Sequence, residues 1–162
     1  MVFDNLSVLA GSIAASGALV GQAANGAGFV LGTNTLDLAP LTLGGNQLSD
    51  LGAGELVNVT LFVQSAPTVG TNVQFQIIQA DDAALSVNVQ VLVQTDAFPI
   101  ANLPAGAIIN MGLDQAAPYT PKRYIGVRFN NTGAIATFAA FAGVTKTVQT
   151  KSVLVKSGYA VV

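Results

Sequence analysis

Ser49-Asp-Leu-Gly-Ala-Gly-Glu-Leu-Val-Asn-Val-Thr-Leu-Phe-Val-Gln64 decides how the chain is read. Its first half is a turn. An Asp such as Asp50 can accept hydrogen bonds from nearby backbone N–H groups, Gly52 and Gly54 can take positive φ without a Cβ clash, and Glu55 is expected to open the strand. In the second half Val57, Val59, Leu61 and Val63 share one face of that extended strand. Asn58, Thr60 and Gln64 share the other, with Phe62 among them. The alternation predicts a strand with one face in a core and the other wet or against a partner.

Working outward, Thr33–Leu38 reads as a short strand stopped by Pro40, and Leu41–Leu48 as a loop around Gly44, Gly45 and Asn46. Asn72–Gln79 alternates cleanly, with Val73, Phe75 and Ile77 on one side. At Ile77-Ile78 the pattern slips, as at a bulge or a strand end. Asp81-Asp82-Ala83-Ala84 is a loop. Val87–Gln94 reads as a strand with Val87, Val89, Val91 and Val93 inward and Leu92 the exception. Pro99 and Pro104 put Asp96–Gly106 on a sheet edge or in a loop. Ala107–Leu113 is a short strand, and Gln115–Lys122, with Pro118 and Pro121, is a loop. Arg123–Asn130 is a strand with Ile125, Val127 and Phe129 in and Tyr124 and Arg128 out. Asn130-Asn131-Thr132-Gly133 has the chemistry of a hairpin turn, from which Ile135–Val144 returns. No stretch reads as a long amphipathic helix. About eight short strands with Gly, Pro and Asn turns predict an all-β single domain, a β-sandwich or jelly roll.

Both ends depart from this grammar. Residues 1–32 are rich in Ala, Gly and Ser. Asp4 and the lack of Lys or Arg are wrong for a signal peptide, and repeated Gly breaks the apolar run that a membrane helix needs. They read as an extended segment, ordered on assembly, in front of a jelly-roll domain over 33–145. Residues 146–162 have high β propensity without alternation and carry Lys146, Lys151 and Lys156. They read as a last strand or an arm.

Composition narrows the function. Charged residues are 9 % of the 162 and hydrophobic ones 51 %, against about 25 % charged in an ordinary soluble domain. Polarity comes from Asn, Gln, Ser and Thr. Either other protein covers much of the surface, or the domain has an amide-rich exterior. With no His and no Cys, the Ser–His–Asp and Cys–His nucleophile systems and the usual zinc ligands are missing. A net charge of −2 argues against general nucleic-acid binding. All eight acids lie between Asp4 and Asp114, and all six bases between Lys122 and Lys156. Such a split pairs the ends with each other, with a second copy or with an acidic partner, unless it is chance.

Candidate chemistry is sparse. Asp81, Asp82 and Asp96 are the one acidic cluster to weigh as a Ca²⁺ site, against simple turn formation, which is the expectation. Asp50 and Glu55 have the residue types of a glycosidase pair, but both have structural reasons to be there, and no Trp builds a sugar platform. Gly52-Ala53-Gly54 lacks the Lys and helix of a phosphate loop. Lys122, Arg123, Tyr124 and Arg128 read as a solvated strand face or as a salt-bridging patch for a partner.

Asn34-Thr-Leu-Asp-Leu38, Asp50-Leu-Gly-Ala-Gly-Glu-Leu56, Gln79-Ala-Asp-Asp-Ala-Ala84, Ile100-Ala-Asn-Leu-Pro-Ala-Gly106 and Lys122-Arg-Tyr-Ile-Gly-Val-Arg-Phe129 occur in that order. Together they resemble the jelly-roll capsid cement (decoration) proteins of tailed phages, of the Bordetella-podophage type, over about residues 33–145. The resemblance implies a non-enzymatic virion protein without a cofactor or metal. Copies, as homodimers or homotrimers, would sit on the outer surface of the icosahedral capsid and bridge major capsid protein subunits, with no nucleic-acid or membrane partner. The contacts expected are Phe3, Leu6 and Leu9 in the N-terminal segment, Lys122, Arg123, Tyr124 and Arg128 in the late strand, and Lys146, Lys151 and Lys156 in the tail. The alternative is a jelly-roll glycan- or receptor-binding module on a fibre or cell surface. A carbohydrate-active enzyme using Glu55 ranks third.

Overall fold

A computed structural model of the chain describes residues 7–38, 42–43, 46–47, 57–113 and 122–145. Phe3, Leu6, the turn residues Asp50, Gly52, Gly54 and Glu55, the loop prolines Pro118 and Pro121, and Lys146, Lys151 and Lys156 lie outside them.

The strands are β1 (Val8–Ala10), β2 (Ser12–Ile13), β3 (Leu19–Val20), β4 (Gln22–Ala23), β5 (Gly26–Leu31), β6 (Leu36–Asp37), β7 (Thr42–Leu43), β8 (Asn46–Gln47), β9 (Val57–Ser65), β10 (Asn72–Ala80), β11 (Gln90–Gln94), β12 (Phe98–Pro99), β13 (Ile108–Leu113), β14 (Tyr124–Ile135) and β15 (Ala139–Thr145). One sheet has the order β1-β15-β9-β13, with β4 also on β15. The other has β11-β10-β14-β5, with β12 on β10 and β6 on β14. All of these pairings are antiparallel.

Taking the eight principal strands in order, the first pairs with the last (β1–β15), the second with the next to last (β5–β14), then β9 with β13 and β10 with β11. A long antiparallel ribbon rolled on itself gives this order, which is the jelly roll. The all-β reading therefore holds, and so does the alternation in β9, β10 and β14. Val59, Leu61, Val63, Val73, Phe75, Ile77, Val127 and Phe129 are buried between the sheets. Phe75 is the hub: its ring lies 5.9 Å from Phe129 edge-on, 6.0 Å from Phe98 and 6.3 Å from Phe138.

The rolled ribbon explains where the N-terminal segment goes. Its composition predicts an extended segment in front of the domain. Instead β1, β4 and β5 belong to the two sheets, and Leu9, Ala10 and Ala24 are fully buried in the core. Leu9 is thus a core residue and not an outward contact. Its carbonyl accepts the Asn34 N–H at 3.1 Å, which ties β1 to the connection after β5. A Cβ at Gly32 would fall against that same carbonyl oxygen, so only glycine lets the two segments meet.

Other expectations change locally. The loop at 41–48 contains the β7–β8 hairpin. The Asn130–Gly133 turn does not form: β14 runs on to Ile135, absorbing the irregularity as a register shift against β5. The chain then crosses to the other sheet, so β15 does not return beside β14. At that crossing Thr68 and Ala136 exchange two backbone hydrogen bonds of 2.8 Å, joining the β9–β10 and β14–β15 corners. Val87, expected inward, is 49 % exposed because the strand begins only at Gln90. Asn58 and Thr60, expected wet or partner-facing, are buried, and Thr60 Oγ1 donates to Asn110 Oδ1 at 2.8 Å.

Two outcomes test this packing. Phe75→Ala empties the junction of the aromatic rings and lowers unfolding free energy by about 3–5 kcal/mol in urea titration. Deleting residues 1–31 removes strands from both sheets, so circular dichroism follows no cooperative melt instead of a trimmed domain melting slightly earlier.

Candidate functional site

The outward face of the β11-β10-β14-β5 sheet holds the most developed arrangement of polar side chains among the described residues. Register sets it. Arg128 lies opposite Gln76 on one side and Leu31 on the other; Asn130 lies opposite Gln74 and Phe29. Gln76 in turn lies opposite Gln94.

These side chains bond to one another across the strands. Arg128 Nε donates to Gln76 Oε1 at 2.8 Å. Gln76 Nε2 donates to Gln94 Oε1 at 3.1 Å and Gln74 Oε1 at 3.2 Å. Asn130 Nδ2 donates to Gln74 Oε1 at 3.1 Å, and Gln74 Nε2 to the Thr95 carbonyl at 2.9 Å. Gln76 is 5 % exposed, buried beneath its neighbours. The result is a flat ladder of amides whose rotamers are fixed by their own hydrogen bonds.

At the β5 edge the character changes. Phe29 is 61 % and Leu31 38 % exposed. The Arg128 guanidinium carbon lies 3.9 Å from the Phe29 ring centroid, a cation–π contact across a strand diagonal. Gln22 seals the far end of β5: its Nε2 donates to the Leu31 carbonyl at 2.6 Å, and its Oε1 accepts the Thr33 N–H at 2.7 Å. Sequence reasoning misses Phe29 and Leu31 because they sit in the Gly/Ala-rich segment. A signal is present all the same, since Ala27, Phe29 and Leu31 alternate with Gly28 and Val30.

The other two described basic residues, Lys122 and Arg123, are used within the chain. Arg123, beside β14, gives Asp37 of β6 a two-point salt bridge, Nε to Oδ1 at 2.8 Å and Nη2 to Oδ2 at 2.9 Å, and lies 5.0 Å from the Tyr124 ring. That hydrogen bond, above all, raises the Arg123 pKa above its ordinary value. Lys122 Nζ donates to Asp81 Oδ1 at 2.7 Å. Two of the described bases thus pair with acids from earlier in the chain, one of the readings open for the charge split. Lys122 and Arg123 are therefore not an unclaimed patch, because the rolled ribbon brings their acids to them.

Asp81 and Asp82 build a loop over a second small core of Ile78, Ala80 and Leu85. Asp82 Oδ1 accepts the Ser86 and Val87 N–H groups at 2.8 and 2.7 Å, and Oδ2 accepts the Ser86 hydroxyl at 2.8 Å. Asp81 Oδ2 accepts Asn88 Nδ2 at 2.7 Å. Every carboxylate oxygen of the pair carries a donor, which is turn chemistry. Gly126 beneath leaves room for Leu85, whose methyl would meet any Cβ there.

The same bonds set a pH dependence. The Lys122 hydrogen bond, then Asn88, lowers the Asp81 pKa from 3.8. For Asp82 the Val87 N–H leads and the Ser86 hydroxyl comes second. With folded-state values depressed, their stabilisation is whole above the unfolded carboxylate pKa and is lost as pH falls through the folded values. The melting temperature stays level from about pH 7 to pH 5 and declines below about pH 4. Asp82→Ala melts lower at neutral pH and shows a shallower acid decline, read by thermal melts across pH.

No curated protein matches the chain. The Bbp16 family model matches residues 13–151, which take in strands of both sheets from β4 onward, the loop of paired aspartates and the amide face. The chain therefore belongs to the Bbp16 family, a family named for a Bordetella phage protein.

Proposed function

We propose that the protein is a capsid cement protein, which binds the outer surface of an icosahedral phage head and bridges neighbouring major capsid protein subunits. The observation that carries this reading is the family match over residues 13–151 on a chain that rolls into a jelly roll. The surface agrees with it. Large permanent interfaces are depleted in charge, and the outward sheet face here is built from amides, an exposed Phe29 and an exposed Leu31.

The work is done by binding alone, with no cofactor and no turnover. Each contact to a capsid subunit is modest. An oligomer that holds several subunits must release all of them together, so its avidity far exceeds the affinity of one site. Ligands that bind the assembled shell and not its parts stabilise the assembly by mass action. A closed homodimer or homotrimer suits the symmetry of the shell. Nucleic acid and membranes have no part in it.

One observation favours a second reading. Phe29 stands exposed beside Asn130 and Arg128, and an aromatic ring next to an amide face is also how a sheet holds a sugar. On that reading the protein is a glycan- or receptor-binding module.

Gradient co-sedimentation of the full chain with expanded heads that lack it decides between them. The expected result is saturable binding at a fixed ratio to the shell protein, with decorated heads bursting at a higher temperature than bare ones. Protein that stays in the light fractions, yet is retained on a glycan array, sinks the cement reading.

A further inference from the structure

Arg128 differs from the other described basic residues. Lys122 and Arg123 each face a carboxylate. Arg128 has none within salt-bridge distance among the described residues. Its Nε–H is donated to Gln76, leaving the Nη groups of a five-donor guanidinium without a protein acceptor there. Burial lowers its pKa from the ordinary arginine value. A partly desolvated cation with no counter-ion is costly, and this chain carries few charges of any kind.

The surroundings hold that cation ready. Phe29 lies against one face of the guanidinium, Gln76 fixes Nε, and Gln74, itself held by Asn130, braces Gln76 from the next row. A guanidinium oriented in advance by packing and hydrogen bonds loses little freedom on binding a planar anion. One isolated cation among the described residues, on a chain of net charge −2, is a poor match for a nucleic-acid backbone, which needs several. It suits a single carboxylate with an apolar rim, as an acidic side chain at a protein interface provides.

We infer that the outward face of β14 and β5 docks on the major capsid protein by capturing an Asp or Glu carboxylate of a capsid subunit on Arg128, with Phe29 and Leu31 as the apolar rim. This rests on the cement reading and adds the face used and the group recognised.

The test uses the full chain and heads lacking it. Arg128→Gln keeps a polar partner for Gln76 and removes the charge. It is expected to weaken head binding by about thirtyfold or more, with the free chain melting no lower than the parent. Parent binding falls with added NaCl more steeply than that of the variant. Arg128→Lys gives a complementary reading: on heads loaded at high protein concentration, a zero-length carbodiimide joins the substituted amine to an Asp or Glu of the capsid protein, mapped by mass spectrometry. Head binding unchanged in Arg128→Gln overturns the inference and leaves the cement reading standing. Cross-links that join only two copies of this chain, or none to the capsid protein, also overturn it. Failure of the parent chain to bind any head, with or without retention on glycans, removes both.

Discussion

The register of β14 against β10 is the constraint on which the rest of the structure depends. Phe75 lies opposite Phe129 on the inner side, and Gln76 opposite Arg128 on the outer. Side chains alternate with a period of two, so a slip by one residue would send Arg128 into the core and Phe129 to the surface. The aromatic junction makes that slip prohibitive, because Phe129 is also held edge-on to Phe138 at 5.8 Å, across the corner that leads to β15. One packing decision in the core thus sets the outer face, on which nothing else enforces position so strongly. The fully buried phenylalanines and the exposed amide ladder are two sides of the same strands.

The charge split has its origin in the same topology. In a rolled ribbon the first half of the chain lies beside the second. Acids of the first half, such as Asp37 and Asp81, and bases of the second, Lys122 and Arg123, are brought together without special arrangement at any one loop. Asp37 meets Arg123 because β6 pairs with β14, and Asp81 meets Lys122 because the end of β10 pairs with the start of β14. Both pairs are partly solvent-exposed, so they add little to stability and act instead as register marks at one end of β14. Arg128 lies further along the strand, where its β5 and β10 neighbours are apolar and amide, and it is left out of the scheme.

Burial also decides how much of this was legible in the sequence. The strands β9, β10 and the inner side of β14 were legible because each turns apolar side chains to the core on one face and mostly polar ones to the other, which writes a period-two pattern whether or not the polar face is also covered. The slip at Ile77-Ile78 was legible as well. There the β11 strand carries Leu92 as an extra residue between Val91, paired with Ile78, and Val93, paired with Ile77. The N-terminal strands were not legible. The seam at Leu9–Asn34 needs glycine for close approach, and short strands such as β1 and β4 gain their order from β15, not from their own propensity. Val87 was misplaced for the opposite reason. Its alternation is real, but Asp82 draws residues 86 and 87 into a loop by side-chain hydrogen bonds that outcompete the ladder. On the outer face Gln74, Gln76 and Arg128 could be placed, whereas their mutual bonding could not, since it depends on three strands arriving in register.

An amide face suits permanent docking better than an ionic one would. Charged side chains must be stripped of tightly held water when a partner arrives, and that penalty often cancels what the new pairs gain. Amides already bonded to one another, as Gln74, Gln76, Gln94 and Asn130 are, have met much of that cost on folding. Their side chains are also already ordered, so little entropy remains to be lost. Such a face offers area and fit but little direction, because its donors and acceptors are largely occupied. Direction then has to come from a group whose valences remain open. Among the described residues of this sheet, the Arg128 guanidinium, seated on Phe29 at the edge of the ladder, is such a group. A surface that is mostly neutral and pre-bonded, with one oriented charge, separates the source of affinity from the source of register.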